Sequence, residues 1–298
     1  MTEADFLTLL RTLPLHPGAL GLANDAARLA GEFVVTTDTL VEGVHFLPAD
    51  PPDDVAWKLV AVNLSDLAGK GAAPVAVLLN YPLSEDGWDR AFVAGLAAAL
   101  REFDCALLGG DTVSLPPGAP RVLTLTAFGA GVGSARSGAQ PGDALWVCGT
   151  IGDAGAGLRI ARGASGPPAL LAAYRRPRPL LADGQALAPH VGAMMDVSDG
   201  LLLDASRMAA ASDLAVTIEL RSVPLSPALR GFDPDPLIAA TAGDDYALLF
   251  ALPPGVVPTV PAARIGRFAP GSGLTLTDRG APVALPANLG WLHAAPLA

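Results

Sequence analysis

Apolar and polar positions change along the chain in short blocks, and each block predicts one strand or one helix. Glu32–Asp38 is rich in β-branched residues and predicts a strand that ends in an aspartate. Asp53–Gly69 has apolar residues at helical spacing and predicts a helix, on which Asn63, Asp66 and Lys70 form a polar stripe. Because the rest of this helix is apolar, Asp66 is as consistent with a buried ligand as with a solvated face.

A second helix is expected to begin at Ser84, as its cap, and to run to about Phe103. Its buried stripe is Trp88, Phe92, Leu96, Ala99 and Phe103. The other predicted helices are 4–13, Gly152–Arg162, and Gly200–Ala211 with Ser198 as N-cap. The other predicted strands are Pro74–Tyr81, Cys105–Leu108, Arg121–Gly131, Ala144–Cys148, Ala193–Val197, Ala215–Leu220, Tyr246–Ala251 and Ala263–Gly266.

The segment Ser137–Asp143 is dense in turn-forming residues and is the best domain boundary. We therefore predict an N-terminal domain over 1–136 and a C-terminal domain over 137–298. The first half alternates strands and helices without a Gly-rich dinucleotide turn, which favours an α+β domain. The second half is predicted to be a separate α/β layered domain.

Composition narrows the function classes. Hydrophobic residues make up 51% of the 298-residue chain, and no apolar run is long enough to span a membrane. The net charge of −10 argues against a nucleic-acid partner, which needs a basic face. Cys105 and Cys148 each lie in an apolar stretch and are expected to be buried, reduced thiols. With an acidic N-terminus that lacks a signal-peptide core, the chain is predicted to be cytoplasmic.

Carboxylates recur where apolar runs stop, among glycines or hydroxyl residues. The stretches are Thr36-Thr37-Asp38-Thr39, Asn63-Leu64-Ser65-Asp66, Gly109-Gly110-Asp111-Thr112, Asp196-Val197-Ser198-Asp199-Gly200 and Gly243-Asp244-Asp245. Two unit charges about 4 Å apart interact by roughly 4 kcal/mol at an effective dielectric near 20. Converging acids therefore need cations between them, and oxygen ligands in this number suit magnesium with phosphates. The pattern predicts a metal-dependent phosphoryl-transfer enzyme.

Each stretch also has a plainer interpretation when taken alone. Asp38, Asp111 and Asp244 could lie in polar turns, and Ser198 or Asp199 could only cap a helix. Gly149–Gly157 lacks the Lys-Ser/Thr of a phosphate-binding loop, so helix packing is favoured there. The plainest interpretation of Asp143, Asp204 and Asp213 is that they are surface or turn acids, and that of Tyr174–Arg178 is a basic surface patch.

Taken in order, the motifs resemble the thiamine-monophosphate kinase family, in the superfamily of aminoimidazole ribonucleotide synthase. The similarity covers nearly the whole chain. The matching stretches are Thr36–Leu40 with Gly43–Phe46, Ala61–Ala68, Gly109–Thr112, Arg136–Asp143, Asp196–Leu201 and Gly243–Tyr246. The resemblance implies an N-terminal ferredoxin-like α+β domain that dimerises through its sheet, and a C-terminal α/β domain across an active-site cleft.

The resemblance also implies ATP-dependent phosphorylation of thiamine monophosphate to thiamine diphosphate, with ADP as the other product. The metal ligands it implies, for several magnesium ions, are Asp25, Thr36, Thr37, Asp38, Asp66, Asp111, Asp196 and Asp199. The nucleotide contacts it implies are Gly110, Asp111, Arg136 and Ser198, with Arg136 as charge stabiliser and no catalytic base. The contacts to thiamine phosphate that it implies are His45, Asp244 and Trp291.

Two positions depart from the family pattern, and they bear on the alternatives. Asn24 stands where the family usually has an acid, and Asp244 stands where it often has glutamate. The alternative is a catalytically inactive ATP- or metal-binding regulator, in which these two changes would be the first losses of the family's site residues. Two other enzymes of the superfamily are disfavoured. A selenophosphate synthetase needs a reactive cysteine near the N-terminus, and a hydrogenase-maturation dehydratase needs a C-terminal cysteine.

Overall fold

One long helix, α1 (Pro52–Gly69), lies between the two halves of the protein. We describe it in a computed structural model, in which the described residues are 11, 15, 17–24, 26–29, 33–131 and 133–293. The helix is buried along most of its length, because it packs on strands of an N-terminal sheet and also contacts helices and strands of the C-terminal half. A helix that is apolar nearly all round is expected in such a position.

The N-terminal half is built on a five-stranded sheet with the order β1-β2-β5-β3-β4. Its strands are β1 (Ala27–Leu29), β2 (Phe33–Val41), β3 (Ala73–Leu83), β4 (Ala106–Ser114) and β5 (Val122–Ala130). β3 and β4 pair in parallel, and the other pairs are antiparallel. A second helix, α2 (Asp86–Glu102), packs on α1. This half is the predicted α+β domain.

The C-terminal half is built on a mixed seven-stranded sheet with the order β12-β11-β8-β10-β6-β9-β7. Its strands are β6 (Ala144–Cys148), β7 (Ala193–Val197), β8 (Leu214–Glu219), β9 (Ala247–Leu252), β10 (Ala263–Pro270), β11 (Gly273–Asp278) and β12 (Ala281–Val283). The pair of β8 and β11 is parallel, and the other pairs are antiparallel. β7 and β9 are completely buried and both contact α1, and the carboxyl end of β7 pairs with the start of β9.

Short helices accompany this sheet. They are α3 (Asp153–Ala161), α4 (Pro168–Arg175), α5 (Leu181–Leu187), α6 (Leu201–Ala211), α7 (Pro227–Phe232) and α8 (Pro236–Ala240), with a 3-10 turn at Leu220–Ser222. Another 3-10 turn, Pro17–Leu22, contacts β1 of the N-terminal sheet. Both cysteines are buried free thiols, as predicted. No helix among the described residues is both long enough and apolar enough to cross a bilayer.

The strand β4 corrects one prediction. The sequence predicts a strand that stops at Leu108 and a turn at Gly109-Gly110-Asp111, but the strand continues to Ser114. Gly110 is needed because a Cβ there would lie 1.8 Å from the carbonyl oxygen of Leu79 on β3. Gly110 therefore allows close strand pairing, and Asp111 lies within the strand rather than in a loop.

Two predicted helix caps are also wrong. α2 begins at Asp86, so Ser84 lies outside it, and the Ser84 N–H donates to the Asp89 carboxylate (3.1 Å). α6 begins at Leu201 with Gly200 in the cap position. The positive φ of Gly200 (125°) lets the chain turn there without a side-chain cap. The predicted helix over 4–13 lies outside the described residues apart from Arg11.

The segment Tyr174–Arg178 joins the two halves and is not the basic surface patch that the sequence predicts. Tyr174 Oη donates to the buried carboxylate of Asp50 (2.8 Å), and Arg175 pairs with the same carboxylate (3.0 Å). The Trp57 indole of α1 donates to the Pro177 carbonyl (2.9 Å). These contacts fix the C-terminal half against the start of α1. The boundary predicted at 136/137 falls in the segment that connects the two sheets.

The contact between α1 and α2 gives the first testable prediction. A Cβ on Gly95 of α2 would lie 2.4 Å from the Asp53 backbone, whereas Gly87 on the same helix has nothing within 4 Å. We expect Gly95→Ala to lower the free energy of unfolding by about 1–3 kcal/mol through overpacking. Gly87→Ala, the control, should change it by less than about 1 kcal/mol, in the stabilising direction. Urea unfolding measures both, and equal effects would contradict this packing.

Candidate active site between the two domains

The first part of the site comes from β2 and α1. Side chains alternate along β2, so Thr36 and Asp38 lie on the sheet face that α1 covers. The Thr36 hydroxyl donates to the Asp66 carboxylate, which joins strand and helix. The Asp38 N–H donates to the Asn63 side chain (3.0 Å). The polar stripe predicted on this helix therefore faces the middle of β2, because the strand that was expected to end at Asp38 continues to Val41.

The second part comes from the carboxyl end of β7. Asp196 is buried and accepts a hydrogen bond from Ser65 of α1 (2.6 Å), so the two domains meet at this residue. Asp199 follows in the loop and forms an ion pair with Arg207 of α6. Buried Asp204 accepts hydrogen bonds from the backbone N–H groups of Ser198 and Asp199 (both 3.1 Å). It fixes the loop and is not a surface acid.

The carboxylates of these two parts act on one another. Burial raises the pKa of Asp38 to about 6, and the charge of Asp199 adds to the effect. Burial raises the pKa of Asp196 to about 6, with Asp38 acting in the same direction. Burial and then the charges of Asp38 and Asp196 raise the pKa of Asp66. Four predicted metal ligands from both domains therefore share one electrostatic neighbourhood.

Two cationic side chains border this carboxylate group. Burial lowers the pKa of Lys70 to about 8, while Asp66 and Asp196 act in the opposite direction. Burial and the neighbouring Arg207 lower the pKa of Arg136, against the charges of Asp204, Asp196 and Asp199. Arg136, the predicted charge stabiliser, therefore lies beside the C-terminal carboxylates.

The predicted substrate contacts form an adjacent group. His45 and Trp291 each lie against His293, with ring centroids 5.6 Å and 6.2 Å apart. Burial and then His293 lower the pKa of His45, while Asp244 raises it. The backbone N–H of Trp291 donates to the Asp199 carbonyl (2.8 Å), which places this group directly beside the carboxylates.

A buried lysine of α1 contacts two of the predicted substrate-binding residues. Lys58 forms an ion pair with Asp244 and donates to the His45 carbonyl (3.1 Å). Its ammonium also lies 4.3 Å from the centroid of the Tyr174 ring. Tyr246 Oη donates to the other oxygen of Asp244 (2.7 Å). Asp244 is thus fixed in place even though its side chain is shorter than glutamate.

Other predicted site residues lie elsewhere. The Thr37 side chain is on the opposite face of β2 and accepts from Thr126 (3.1 Å). Asp111 shares a row across the sheet with Asn80, Thr124 and Thr39, again opposite Asp38. With strands about 4.8 Å apart, this exposed residue lies roughly 14 Å from β2. Gly110 lies on the same edge strand. Asp25 lies outside the described residues.

The sequence interpretation missed several residues of the site. They are Lys58, Asp204, Arg207, Tyr246 and His293. Asp204 had a usable signal, since it shares helical spacing with apolar residues that prove to be the buried face of α6. A lone lysine or arginine carries no comparable signal, because only the tertiary structure shows which carboxylate it meets.

The donor chemistry of the carboxylate group fits magnesium. Its side chains offer carboxylate and hydroxyl oxygens, and their mutual repulsion would be relieved by a divalent ion. Within the described part of the chain, no three His, Cys, Asp or Glu side chains form a metal site by themselves. Magnesium bound with a nucleotide usually takes one or two carboxylates and fills its shell with phosphates and water. Asp38, Asp66, Asp196 and Asp199 are suited to that mode.

Comparisons with known proteins identify the class of this fold. The model for the N-terminal domain of AIR synthase related proteins matches residues 23–132, and the model for their C-terminal domain matches residues 140–277. Thiamine-monophosphate kinase of Caulobacter vibrioides is 39% identical over an alignment that covers 98% of this chain and 91% of that protein. The chain therefore belongs to the thiamine-monophosphate kinase family.

Solved structures agree with this assignment. AaThiL in complex with AMPPCP and TMP has a TM-score of 0.86 and 28% identity, covering 98% of this chain and 97% of that one. The thiamine-monophosphate kinase of Stenotrophomonas maltophilia has a TM-score of 0.76 and 37% identity, covering 94% and 96%. The two-domain arrangement predicted from the sequence is thereby confirmed.

The raised pKa of Asp38 predicts a stability that depends on pH. A carboxyl group whose pKa is higher in the folded than in the unfolded protein costs stability as the pH rises above the unfolded pKa, and the full cost is reached above the folded pKa. The pKa rises from 3.8 to about 6, so the cost develops between about pH 4 and pH 7. Without divalent metal, we expect Asp38→Asn to raise the free energy of unfolding by about 2–3 kcal/mol at pH 7.5, and by about 1 kcal/mol at pH 4.5.

Urea unfolding at both pH values checks this prediction. Asp86→Asn is the control, since Asp86 is exposed and its one ion pair among the described residues is with Arg90 on the surface of α2. It should change stability little at either pH. A gain for Asp38→Asn that is absent at pH 7.5, or equal at both pH values, would show that Asp38 is not held in a repulsive buried cluster.

Proposed function

We propose that this chain transfers the γ-phosphate of ATP to the phosphate of thiamine monophosphate, and so makes thiamine diphosphate and ADP. One observation carries the proposal. The carboxylates of β2, α1 and β7 meet between the domains, directly beside the group of His45, Asp244 and Trp291. A site for a metal-bound triphosphate therefore adjoins a site for a second, cationic substrate.

The chemistry asks little covalent help of the protein. A phosphate oxygen of the acceptor is already a nucleophile, so no general base is assigned. Bound magnesium ions would neutralise the phosphate oxygens, held by Asp38, Asp66, Asp196 and Asp199, with Thr36 beside them. The chain's own task is alignment and charge stabilisation, in which Arg136 faces the C-terminal side of the cluster.

The remaining assignments follow the same division of the cleft. Ser198, exposed at the loop after β7, would contact the nucleotide. His45, Asp244 and Trp291 would contact thiamine monophosphate, with Asp244 positioned by Lys58. The assignments of Asp25, Thr37, Gly110 and Asp111 stay predictions from the family resemblance. Thr37, Gly110 and Asp111 lie away from the carboxylate group in this chain, and Asp25 lies outside the described residues, so the structure adds no support for these four. The same holds for the number of magnesium ions.

A homodimer and a cytoplasmic location are also part of the proposal. β4 is an edge strand with exposed apolar side chains, and Leu107 and Leu108 are 51% and 65% exposed. An open apolar edge is suited to pairing with a second copy. Such a dimer would enclose Gly110 and Asp111, so their effects are best measured together with oligomeric state. The two free, buried thiols suit a reducing compartment.

Product analysis tests the function. Purified protein with magnesium, ATP and thiamine monophosphate should form thiamine diphosphate and ADP in equal amounts. Asp196→Asn should reduce this turnover by about 100-fold or more, because it removes a charged ligand from the transition state. Asp213→Asn is the control, since Asp213 is exposed in the same domain.

Chromatographic separation of the thiamine phosphates gives the measurement. ADP formed without thiamine diphosphate would reject this acceptor, and full turnover by Asp196→Asn would reject the site. Unchanged circular dichroism, and an unfolding midpoint in both variants that is no lower than that of the wild type, show that a loss of turnover comes from the site.

The dimer has its own test. We expect Leu108→Glu to convert the protein from dimer to monomer in sedimentation velocity, because a charge would be buried at the pairing edge. Val257→Glu places the same charge on an equally open site of the C-terminal domain, where Val257 is 77% exposed, and should leave the dimer intact. A wild-type monomer at micromolar concentration, or a dimeric Leu108→Glu variant, would contradict this interface.

A further inference from the structure

A second buried lysine lies among the carboxylates of the site. Lys70 follows the last residue of α1, and its side chain is only 2% exposed. Its ammonium donates to the Asn24 side chain (2.8 Å). Asp66 of the N-terminal domain and Asp196 of the C-terminal domain both favour its charged form. Lysine is seldom buried without such partners.

The surroundings hold this lysine in position. The Lys70 N–H donates to the Asp66 carbonyl (3.1 Å), and the Lys70 carbonyl accepts from the Ser134 N–H (3.0 Å) in the segment between the domains. The residue is therefore anchored at its backbone and at its ammonium. A buried ammonium has a large desolvation cost, which nearby carboxylates offset. Its positive charge is fixed next to the ligands proposed for the metal.

We propose that Lys70 is a resident cation of the carboxylate cluster. This inference rests on the proposed function, since it concerns the metal site assigned there. Lys70 supplies part of the positive charge that keeps Asp66 and Asp196 together across the domain boundary when no nucleotide is bound. The same charge repels a free divalent ion.

This arrangement has a consequence for the order of binding. Arg207 pairs with Asp199, and Lys70 offsets part of the charge of Asp66 and Asp196. The nucleotide-free cluster therefore attracts a bare divalent ion weakly. A metal that arrives with a triphosphate brings its own negative charge and ligands, so the site selects the metal–nucleotide complex over the free ion.

The sign of one mutational effect separates this role from a structural one. If Lys70 only fills space, Lys70→Met should weaken metal binding or leave it unchanged. If Lys70 is a resident cation, Lys70→Met removes repulsion, and the nucleotide-free protein should bind a divalent ion about tenfold more tightly. The same variant should be less stable without metal, because Asp66 and Asp196 lose their countercharge.

The test is a Mn²⁺ titration followed by electron paramagnetic resonance, with no nucleotide or substrate present. Lys70→Arg is the matched control, since it keeps the charge, and its affinity should stay within about twofold of the wild type. Asn24→Asp serves if Lys70→Met does not fold. The new carboxylate would pair with the Lys70 ammonium and neutralise the charge that repels a divalent ion, so Mn²⁺ binding should also tighten.

The outcomes decide the proposal independently of the function. A folded Lys70→Met protein that binds Mn²⁺ no better than the wild type overturns the role of Lys70. If Lys70→Met does not fold, an unchanged affinity of Asn24→Asp overturns it. If the wild type forms thiamine diphosphate but the Mn²⁺ affinities of the variants do not differ from that of the wild type, only the proposal for Lys70 is rejected. If the wild type forms no thiamine diphosphate, the proposed function is rejected instead.

Discussion

Repulsion between carboxylates is the constraint on which the arrangement of this protein depends. Asp38 and Asp66 belong to one domain and Asp196 to the other, and burial and mutual charge raise the pKa of each. A fold optimised only for stability would not gather them, since each raised pKa is a cost at neutral pH. Sites that carry charged ligands accept such a cost, because it is released when the ligand binds.

The helix α1 makes this gathering possible. It carries Asp66 and Ser65 near its end, and it packs on both sheets, so the two halves of the cluster are placed by one rigid element. Lys58 lies in its second turn and pairs with Asp244 of the predicted substrate contacts, whereas Lys70 directly follows its last residue and lies beside the carboxylates of the metal cluster. The contacts of Tyr174 and Arg175 with Asp50 fix the C-terminal half against its start. The packing of the two domains on α1 therefore also determines the geometry of the site.

The sequence was sufficient for the parts of the fold that local patterns determine. β6 and β7 were predicted to the residue, and α1 to within one residue, because their apolar periods are long and uninterrupted. The carboxylate at the end of β7 could be predicted for a related reason, since an acid at the end of a buried strand lies at the edge of the sheet. The strand that was expected to end at Asp38 instead continues to Val41. Predictions from single residue types failed at Ser84 and Ser198, where other groups satisfy the backbone.

Properties that depend on distant parts of the chain could not be predicted. Gly109-Gly110-Asp111 looks like a turn in sequence, and only the close approach of β3 makes it part of a strand. Which anion a buried lysine meets depends on how two domains pack, so Lys58 carried no signal. The acidic stretches were predicted to converge as a set, but in the described single chain Asp111 lies on the opposite face of the sheet from Asp38.

The central claim is that acids from both domains hold the metal that carries the triphosphate. Anomalous diffraction from crystals grown with Mn²⁺ and a non-hydrolysable ATP analogue tests it most directly. The account predicts manganese peaks bridged to the nucleotide phosphates, with Asp38 or Asp66 on one side and Asp196 or Asp199 on the other. The account would be contradicted if the manganese ions contacted the phosphates but had protein ligands from one domain alone. It would also be contradicted if the nucleotide lay away from these carboxylates.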